Sequence, residues 1–353
     1  MNQESQCKDQ FYIQMCLHLA ANGGRSVAPN PMVGSVIVHD GKVIGEGFHE
    51  QFGGPHAEVN ALRSVTEQTV LKNSTLYVNL EPCCHQGKTP PCVDAIINAG
   101  IPRVVIGHVD PNPAVSGNGI ETLRAHGIEV RSNILEAECI DLNKRFVTVH
   151  QKKRPYIILK WAQTNDGFIA RTDFSSKWIS CEESRQLTHQ WRGEEQGILV
   201  GTNTALHDDP QLTVRHGNGI SPLRIVLDRY HRLPLNLQLL SDGLETWIFS
   251  YTERTVPGHV RYVLLHQESK ELDQMLRYLA NNGISSLLVE GGSTLHRSFI
   301  DQNIWDEARI FVSPTEFQSG IRAATLTGLP FRERNVGPDK LREFVYSEIT
   351  SNS

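Results

Sequence analysis

The sequence has neither an excess of positive charge nor a long apolar run. Its 353 residues carry a formal net charge of −5, with a pI near 6.3. This balance gives no electrostatic footprint for nucleic acid or an anionic membrane. No apolar stretch approaches the roughly 18 residues that a membrane-spanning helix needs, and the N-terminal residues MNQESQCKDQ lack the apolar segment of a secretory signal. We therefore expect a cytoplasmic protein that binds neither nucleic acid nor a membrane.

The sequence also lacks internal repeats, low-complexity segments and a disulfide pattern. Its seven cysteines are an odd number in a large chain without an export signal, which argues against a disulfide framework. A metal-binding or catalytic role for some of them gains weight as a result. The length and the 39% hydrophobic content are enough for two domains with ordinary cores.

The first 150 residues alternate predicted strands with predicted helices. Asp40-Gly41 between two apolar runs is typical of a β-hairpin, and Gly23-Gly24 and Gly100 follow helical periodicity as C-terminal caps do. We predict strands at 33–38, 42–48, 75–80, 103–109 and 128–132, and helices at 8–22, 55–65, 90–100, 119–127 and 136–151. This alternation indicates an α/β layered domain that spans residues 1–150.

A basic segment that ends in proline separates this domain from a second one. The segment is QKKRP, at residues 151–155. The strand-like segments that follow it are YIILKWA, GILVG, LRIVLD, TWIFSY, VRYVLL and SLLVEGG, with helices between some of them, notably around 269–282. We interpret residues 152–353 as a second α/β domain.

The segment EPCCHQGKTPPC, residues 81–92, places cysteines at both ends of a proline-stiffened loop. A catalytic zinc ion takes three protein ligands and leaves its fourth position open. Cys83 and Cys92 adjoin predicted helix starts, where the pKa of a thiol falls, and His56 at another helix start supplies a third ligand. Glu58, two residues on, can carry a proton. One His, two Cys and a non-ligand Glu form the pattern of zinc nucleobase deaminases.

Three other interpretations of this pattern are open. Cys84 and His85 could compete as zinc ligands, although neighbouring cysteines seldom both reach one ion, and we expect Cys84 to be a small packed side chain. The chain could be a tRNA or cytidine deaminase with an unrelated C-terminal domain, but its net acidic charge argues against tRNA. It could also be a structural zinc-binding module, which has no need of Glu58 and would usually take four ligands. The remaining cysteines are expected to be structural: Cys7, Cys16, Cys139 and Cys181.

Four segments resemble the deaminase half of the bacterial bifunctional riboflavin-biosynthesis deaminase/reductases. They are PNPMVGSVIV (29–38), GGPHAEVNAL (53–62), LYVNLEPCCHQGKTPPC (76–92) and DPNPAVSGNGI (110–120). The resemblance implies a cytidine-deaminase-like α/β/α layered fold, zinc on His56, Cys83 and Cys92, Glu58 as the proton shuttle, and Asn30 in the pyrimidine pocket. The family usually has serine where this chain has Cys84, a departure that changes none of the proposed ligands.

The resemblance extends over nearly all of the second domain. KWAQTNDGFIA (160–170), SSKWIS (175–180), GILVGTNTALHDDPQLTVR (197–215), PLRIVLD (222–228) and LLVEGGSTL (287–295) resemble the reductase half of the same family. A dihydrofolate-reductase-like α/β fold is implied. Neither domain has G-x-G-x-x-G after its first strand, so a Rossmann nucleotide site is not expected. A reductase that holds NADPH by other loops fits this absence.

The expected reductase residues form two groups. The cofactor would contact Ala162, Trp178, Thr204, Asp208, Gly292, Ser293, Thr294 and Leu295. The substrate would contact Ser176, Arg192, Leu212, Arg215 and Glu290. VEGGSTL predicts a strand, two glycines and a helix capped by Ser293 or Thr294, whose free N–H groups suit phosphate. GTNTALHDDP predicts a long polar loop, and the guanidinium groups of Arg192 and Arg215 could bind the substrate phosphate.

The resemblance implies two successive reactions on a small phosphorylated pyrimidine. The first is zinc-dependent deamination of 2,5-diamino-6-(5-phosphoribosylamino)pyrimidin-4-one to 5-amino-6-(5-phosphoribosylamino)uracil, with Glu58 moving protons. The second is NADPH-dependent reduction of the ribosyl to the ribityl side chain. The implied cofactors are Zn²⁺ and NADPH, and a homo-oligomer is expected.

Overall fold

The computed structural model describes residues 3–86, 90–112, 115–176, 179–217, 219–267 and 270–346. The chain divides into two units, Met1–Lys153 and Arg154–Ser353. Each unit has its own sheet and its own apolar core on both faces of that sheet. No helix in the described ranges has the combined length and hydropathy of a membrane span.

The first unit contains a five-stranded sheet in the order β2-β1-β3-β4-β5. Strand β1 is antiparallel to its neighbours β2 and β3, and β3, β4 and β5 are mutually parallel. Its strands are β1 Gly34–His39, β2 Lys42–Phe48, β3 Thr75–Leu80, β4 Arg103–His108 and β5 Glu129–Arg131. Its helices are α1 Gln3–Ala21, α2 Ala57–Ser64, α3 Cys92–Ala99, α4 Asn118–Ala125, α5 Glu136–Leu142 and α6 Lys144–Lys152, with 3₁₀ turns at Gly24–Val27 and Gln68–Asn73.

Side chains alternate between two cores along these strands, as strand geometry requires. Leu76 and Val78 join the core under α2, α3 and α4, whereas Tyr77 joins the core under α1 and α5. The first unit is therefore an α/β/α sandwich. The predicted fold class is confirmed for this unit.

The predicted single helix at 136–151 is wrong, because the chain breaks at Asn143. The backbone there has φ −103° and ψ 19°, and α5 ends just before it. The Asn143 side chain accepts a hydrogen bond from the Met32 N–H at 2.8 Å and donates one to the Met32 carbonyl at 2.9 Å. An asparagine that pairs with another segment's backbone competes with the helix, and helical periodicity does not reveal that partner.

The second unit contains a nine-stranded sheet in the order β11-β10-β9-β8-β12-β6-β13-β16-β15. The strands from β11 to β13 in this order are parallel, and β16 and β15 add an antiparallel edge. Its strands are β6 Tyr156–Thr164, β7 Phe168–Ala170, β8 Gly197–Gly201, β9 Leu223–Leu227, β10 Thr246–Ser250, β11 Val260–Leu264, β12 Ser286–Val289, β13 Glu307–Ser313, β14 Ile321–Arg322, β15 Arg332–Val336 and β16 Asp339–Val345. Strands β7 and β14 form a separate pair.

Helices cover both faces of this sheet. They are α7 Glu182–Glu194, α8 Thr202–Asp208, α9 Gln238–Ser241, α10 Glu271–Asn281 and α11 Ser293–Asp301. Leu287 and Val289 face the core with α10 and α11, and Leu288 faces the core with α7 and α9. The carboxyl ends of β8, β9 and β12 consequently meet at one edge, where ligands bind in open parallel sheets.

Candidate active sites

The first unit gathers one histidine and two cysteines from separate segments. His56 is the N-cap residue of α2, Cys92 is the first residue of α3, and Cys83 lies in the loop after β3. Their ligand atoms all lie within 4.8 Å of one another. His56 Nδ1 is 3.2 Å from Cys92 Sγ and 3.5 Å from Cys83 Sγ. A set of one imidazole and two thiols fits the three protein ligands of a catalytic zinc ion.

The start of α3 favours a negative charge on this cluster. The Cys92 backbone N–H donates to Cys83 Sγ at 3.3 Å. The side-chain hydrogen bond from Cys92, helped by one from His56, lowers the pKa of the Cys83 thiol to about 4, whereas the pKa of Cys92 is raised by its bond to Cys83 and by burial. Cys83 does not itself lie at the start of a helix, and the helix start at Cys92 stabilises its negative charge instead. A thiolate is the form that binds metal.

Glu58 lies in the first turn of α2, beside the cluster. Its side chain is only 3% exposed, and it makes a side-chain hydrogen bond with Cys92. Burial, with a further contribution from Cys83, raises the pKa of Glu58 to about 7. A cation held by the three ligands would favour the ionised form. Glu58 is therefore a buried carboxyl group in contact with the three-ligand cluster, and this position suits a group that transfers protons there.

Glu81 anchors the loop that carries Cys83, and the sequence did not mark it as important. Its buried carboxylate accepts four backbone N–H groups, from Asp110 at 3.1 Å, Gly117 at 3.0 Å, Gly119 at 2.9 Å and Ile120 at 3.1 Å. A Cβ atom at Gly119 would lie 2.3 Å from the Pro82 carbonyl oxygen, so this close approach requires glycine. These bonds tie the loop to the start of α4. The sequence feature that could have identified Glu81 is an acidic residue directly after a buried strand.

Asn30 contacts a histidine near the cluster that the sequence prediction missed. Asn30 Nδ2 is 3.1 Å from His49 Nε2, and His49 Nδ1 is 3.0 Å from the Pro55 carbonyl oxygen. The carbonyl can only accept, so Nδ1 carries the proton and Nε2 accepts from Asn30. The ring of His49 lies 5.4 Å from that of His56. His49 thereby orients Asn30 beside the three-ligand cluster.

The alternative ligands do not join this cluster in the described part of the chain. Cys84 is half-buried and packs against the core under α2, α3 and α4, and His85 is exposed. The cluster within the described residues contains neither of them. Parts of two motifs lie outside the described residues, namely 87–89 and 113–114.

In the second unit, a cavity of about 800 Å³ opens beside the carboxyl ends of β8, β9 and β12. Its lining includes every expected reductase residue that the structure describes: Ala162, Ser176, Arg192, Thr204, Asp208, Leu212, Arg215, Glu290, Gly292, Ser293, Thr294 and Leu295. Trp178, the expected wall beside the cofactor, lies outside the described residues. The cavity is large enough for a small-molecule cofactor.

Glu290 is the centre of a buried charge cluster in this cavity. Arg192 Nε and Nη2 donate to its two oxygens at 2.7 and 2.9 Å, and Lys160 Nζ lies 3.5 Å from Oε2. Burial alone would raise the pKa of Glu290, but Arg192 and Lys160 lower it to about 2. Burial lowers the pKa of Lys160 against the opposing effect of Glu290. Lys160 did not appear among the sequence predictions, since nothing in strand periodicity marks it.

The two expected phosphate-binding arginines differ in their surroundings. Arg192 Nη1 donates to the Thr213 carbonyl at 3.2 Å, so all three nitrogens of its guanidinium have partners within the protein. The Arg215 backbone N–H donates to His189 Nδ1 at 3.3 Å. Its side chain forms no hydrogen bond or ion pair with the residues that the structure describes. Arg215 is thus the freer cation of the two.

Two local predictions in this unit are wrong. The segment GTNTALHDDP begins as helix α8 and is no long loop, because the chain passes directly from β8 through the extended N-cap residue Gly201 into the helix. The N-cap of α11 is Gly292, and Ser293 and Thr294 lie inside the first turn. Asp208 at the end of α8 accepts a hydrogen bond from Ser176 Oγ at 2.9 Å. Polar groups therefore approach the cavity from helix ends.

Two family models match the chain. The cytidine and deoxycytidylate deaminase zinc-binding region matches residues 6–108, and the RibD C-terminal domain matches residues 155–331. The riboflavin biosynthesis protein RibD of Aquifex aeolicus is 42% identical over 323 residues, which cover 90% of each chain. That of Escherichia coli is 37% identical over 360 residues, covering 94% of this chain and 98% of its own.

Solved structures match over the same extent. The diaminohydroxyphosphoribosylaminopyrimidine deaminase/5-amino-6-(5-phosphoribosylamino)uracil reductase of Thermotoga maritima has a TM-score of 0.85 at 39% identity, covering 96% of this chain and 99% of its own. RibD of Acinetobacter baumannii has a TM-score of 0.88 at 34% identity, covering 97% and 100%.

Proposed function

The chain belongs to the bifunctional deaminase/reductases of riboflavin biosynthesis, and from this premise we propose how its two units divide the two reactions. The protein is an enzyme with deaminase and reductase activities that uses Zn²⁺ and NADPH. The unit Met1–Lys153 deaminates the diaminopyrimidine phosphate. The unit Arg154–Ser353 then reduces the ribosyl group of the product.

The zinc ligands in this proposal are His56, Cys83 and Cys92. Zinc bound there supplies Lewis-acid chemistry and lowers the pKa of water. Glu58 accepts a proton as water adds to the amino-bearing ring carbon and delivers it to the ring nitrogen. It then takes the second proton from the new hydroxyl group and delivers it to the amine, which leaves as ammonia. Asn30, held by His49, orients the pyrimidine. These roles consume one water and release one ammonia.

The deaminase assignment depends most on Glu58. A structural zinc module has no use for a buried carboxyl beside its ligands, and burying such a group costs free energy. Glu58 is 3% exposed, contacts Cys92, and has a pKa raised to about 7. These properties support proton transfer and argue against a structural module.

In the second unit, the cavity would hold NADPH, which would supply a hydride for the ribosyl C1′. Thr204 and Asp208 of α8 and residues 292–295 at the start of α11 hold the cofactor, together with Ala162. Ser176, Leu212 and Glu290 contact the substrate, with Arg192 fixing Glu290 and Arg215 binding the phosphate. Opening the sugar ring leaves an alkoxide that needs a proton. Lys160, buried beside Glu290, is the proposed donor.

Product analysis with purified protein tests this division. Ammonia should appear from the diaminopyrimidine phosphate without NADPH, and the ribityl product should form only when NADPH is added. Cytidine and tRNA should release no ammonia above the background rate. Comparable ammonia release from cytidine or tRNA would favour the alternative of a different deaminase with an unrelated C-terminal domain.

We further propose a cytoplasmic location and a homo-oligomeric state. All seven cysteines are free, which suits a reducing compartment. Leu329 and Phe331 are 93% and 62% exposed, and a homo-oligomer would cover these two apolar side chains. Light scattering of the full chain tests the oligomer, with a mass of one chain as the contrary result.

A further inference from the structure

The described lysine and arginine side chains that line the reductase cavity fall into two classes. Lys160 and Arg192 are paired with Glu290, and Arg229 is paired with Glu271, with Nε 2.7 Å and Nη2 2.6 Å from Oε2. Arg215 and Arg232 remain, and neither side chain has a hydrogen-bonding or ion-pair partner among the described residues. The cavity therefore offers two uncompensated cations.

The position of Arg232 is fixed by a turn built around a buried carboxylate. Asp228 follows β9 and is fully buried. Its oxygens accept the backbone N–H of Arg232 at 3.2 Å, that of Leu233 at 3.1 Å, and the Thr202 hydroxyl at 3.2 Å. Leu233 is 1% exposed and anchors the far side of the turn. The Arg232 side chain consequently projects from a defined point at the cavity edge.

Arg232 and Arg215 belong to different parts of the cavity. The Arg215 backbone N–H donates to His189 of α7, and the same helix carries Arg192, which binds Glu290. Arg232 follows β9, and the neighbouring strands lie in the order β9-β8-β12-β6. Strand β12 is therefore two strands away from β9, and β6, which carries Lys160, is three strands away. Strands lie about 4.8 Å apart, so these separations are about 10 and 14 Å. The start of α11 lies between them, after β12.

We propose that Arg232 binds the 2′-phosphate of NADPH and thereby sets the preference for NADPH over NADH. This rests on the proposed assignment of the cavity to the cofactor. The nicotinamide must touch the substrate beside Lys160 and Glu290, and the start of α11 suits the pyrophosphate. The adenosine then extends across β8 towards β9. The 2′-phosphate is the group that NADH lacks, and a guanidinium matches it bidentately.

Binding measurements on the full-length chain test the proposal without relying on turnover. Isothermal titration calorimetry would compare NADPH, NADH, adenosine 2′,5′-bisphosphate and AMP. Arg232→Gln should weaken NADPH and the bisphosphate about ten- to hundredfold and leave NADH and AMP within about twofold. Arg232→Lys should retain part of the preference, because it keeps the charge and loses the fork. Arg277→Gln removes the same charge from an exposed site on α10 outside the cavity and should change none of the four.

Each contrary outcome is distinct. If Arg232→Gln weakened AMP and the bisphosphate equally, Arg232 would contact the 5′-phosphates and the proposal would be wrong. An unchanged NADPH preference in Arg232→Gln would also overturn it. If the wild-type chain bound neither dinucleotide, the assignment of the cavity to the cofactor would fail instead, before any variant was made.

Discussion

Replacing Glu290 by glutamine tests whether its cluster is a stabilising part of the reductase site. Glutamine keeps the shape of the side chain and removes its charge, so Arg192 and Lys160 lose their shared counter-charge. Arg192 now donates at 2.7 and 2.9 Å, and Lys160 lies at 3.5 Å. Removing one member of a buried ion pair costs about 3–5 kcal/mol. We expect Glu290→Gln to destabilise the second unit by about that amount.

The lowered pKa of Glu290 gives a second estimate of how much the ion cluster stabilises the folded unit. It falls from 4.5 to about 2 on folding, and one pKa unit corresponds to about 1.4 kcal/mol, so the shift is worth about 3 kcal/mol. The folded-state pKa is the lower one, so this stabilisation is fully present above the unfolded value of 4.5 and is lost as pH falls towards 2. The stability difference between wild type and variant should shrink along that interval.

Tryptophan fluorescence isolates the unit concerned. All five tryptophans lie after Lys153, so urea unfolding followed by their emission reports on the second unit alone. With a urea dependence of about 2 kcal/mol per molar, a loss of about 3 kcal/mol lowers the midpoint by about 1.5 M at pH 7. Reduction of the ribosyl group should be lost, while ammonia release in the first unit continues.

Glu333→Gln is the matched control in the same unit. Glu333 also pairs with two cations, Lys340 at 3.0 Å and Arg342 at 2.8 Å, but at the surface. Its loss should cost under about 1 kcal/mol. A Glu290→Gln midpoint equal to that of Glu333→Gln at pH 7 would refute the ion-network account, as would a difference from wild type that persists undiminished at pH 3.

Three further predictions concern zinc, substrate phosphate and the first unit's stability. Cys84→Ser should keep one zinc per chain by metal analysis and retain deamination, whereas Cys92→Ser should lose both; loss of zinc in Cys84→Ser would mean that the wrong cysteine is assigned. Arg215→Gln should raise the KM of the reductase for the phosphorylated substrate about tenfold or more, and an equal effect on the dephosphorylated analogue would exclude a phosphate contact. Asn143→Ala should destabilise the first unit by about 1–3 kcal/mol in circular-dichroism melts, because the Met32 N–H loses its acceptor and the Met32 carbonyl keeps only the hydrogen bond from Asn79 at 3.0 Å. An unchanged melt would contradict this.

The grouping of the metal cluster could be predicted from the sequence because its signals are local. Pro55 and Pro91 mark helix starts beside His56 and Cys92, and helix starts after parallel strands meet at one edge of a sheet. Glu58 follows His56 within one helical turn. Short-range patterns were therefore enough to bring three ligands and a carboxyl together.

The residues that the sequence did not reveal depend on tertiary neighbours. In the sequence, Lys160 looks like an ordinary strand residue. Its contact with Glu290 arises only because β6 pairs with β12 in the folded sheet. Asn143 interrupts a helical pattern only because Met32 lies within reach. The edge strands β15 and β16 carry many charged residues, so no apolar periodicity marked them.

The central claim, two separate sites in one chain, is tested most directly by Glu58→Gln in the full-length protein with each half-reaction measured alone. The account predicts unchanged zinc content and a loss of ammonia release of about 10²- to 10⁴-fold. It also predicts wild-type reduction by NADPH when 5-amino-6-(5-phosphoribosylamino)uracil is supplied. Loss of that reduction in the folded, zinc-loaded variant would contradict the account and indicate one active site built from both units.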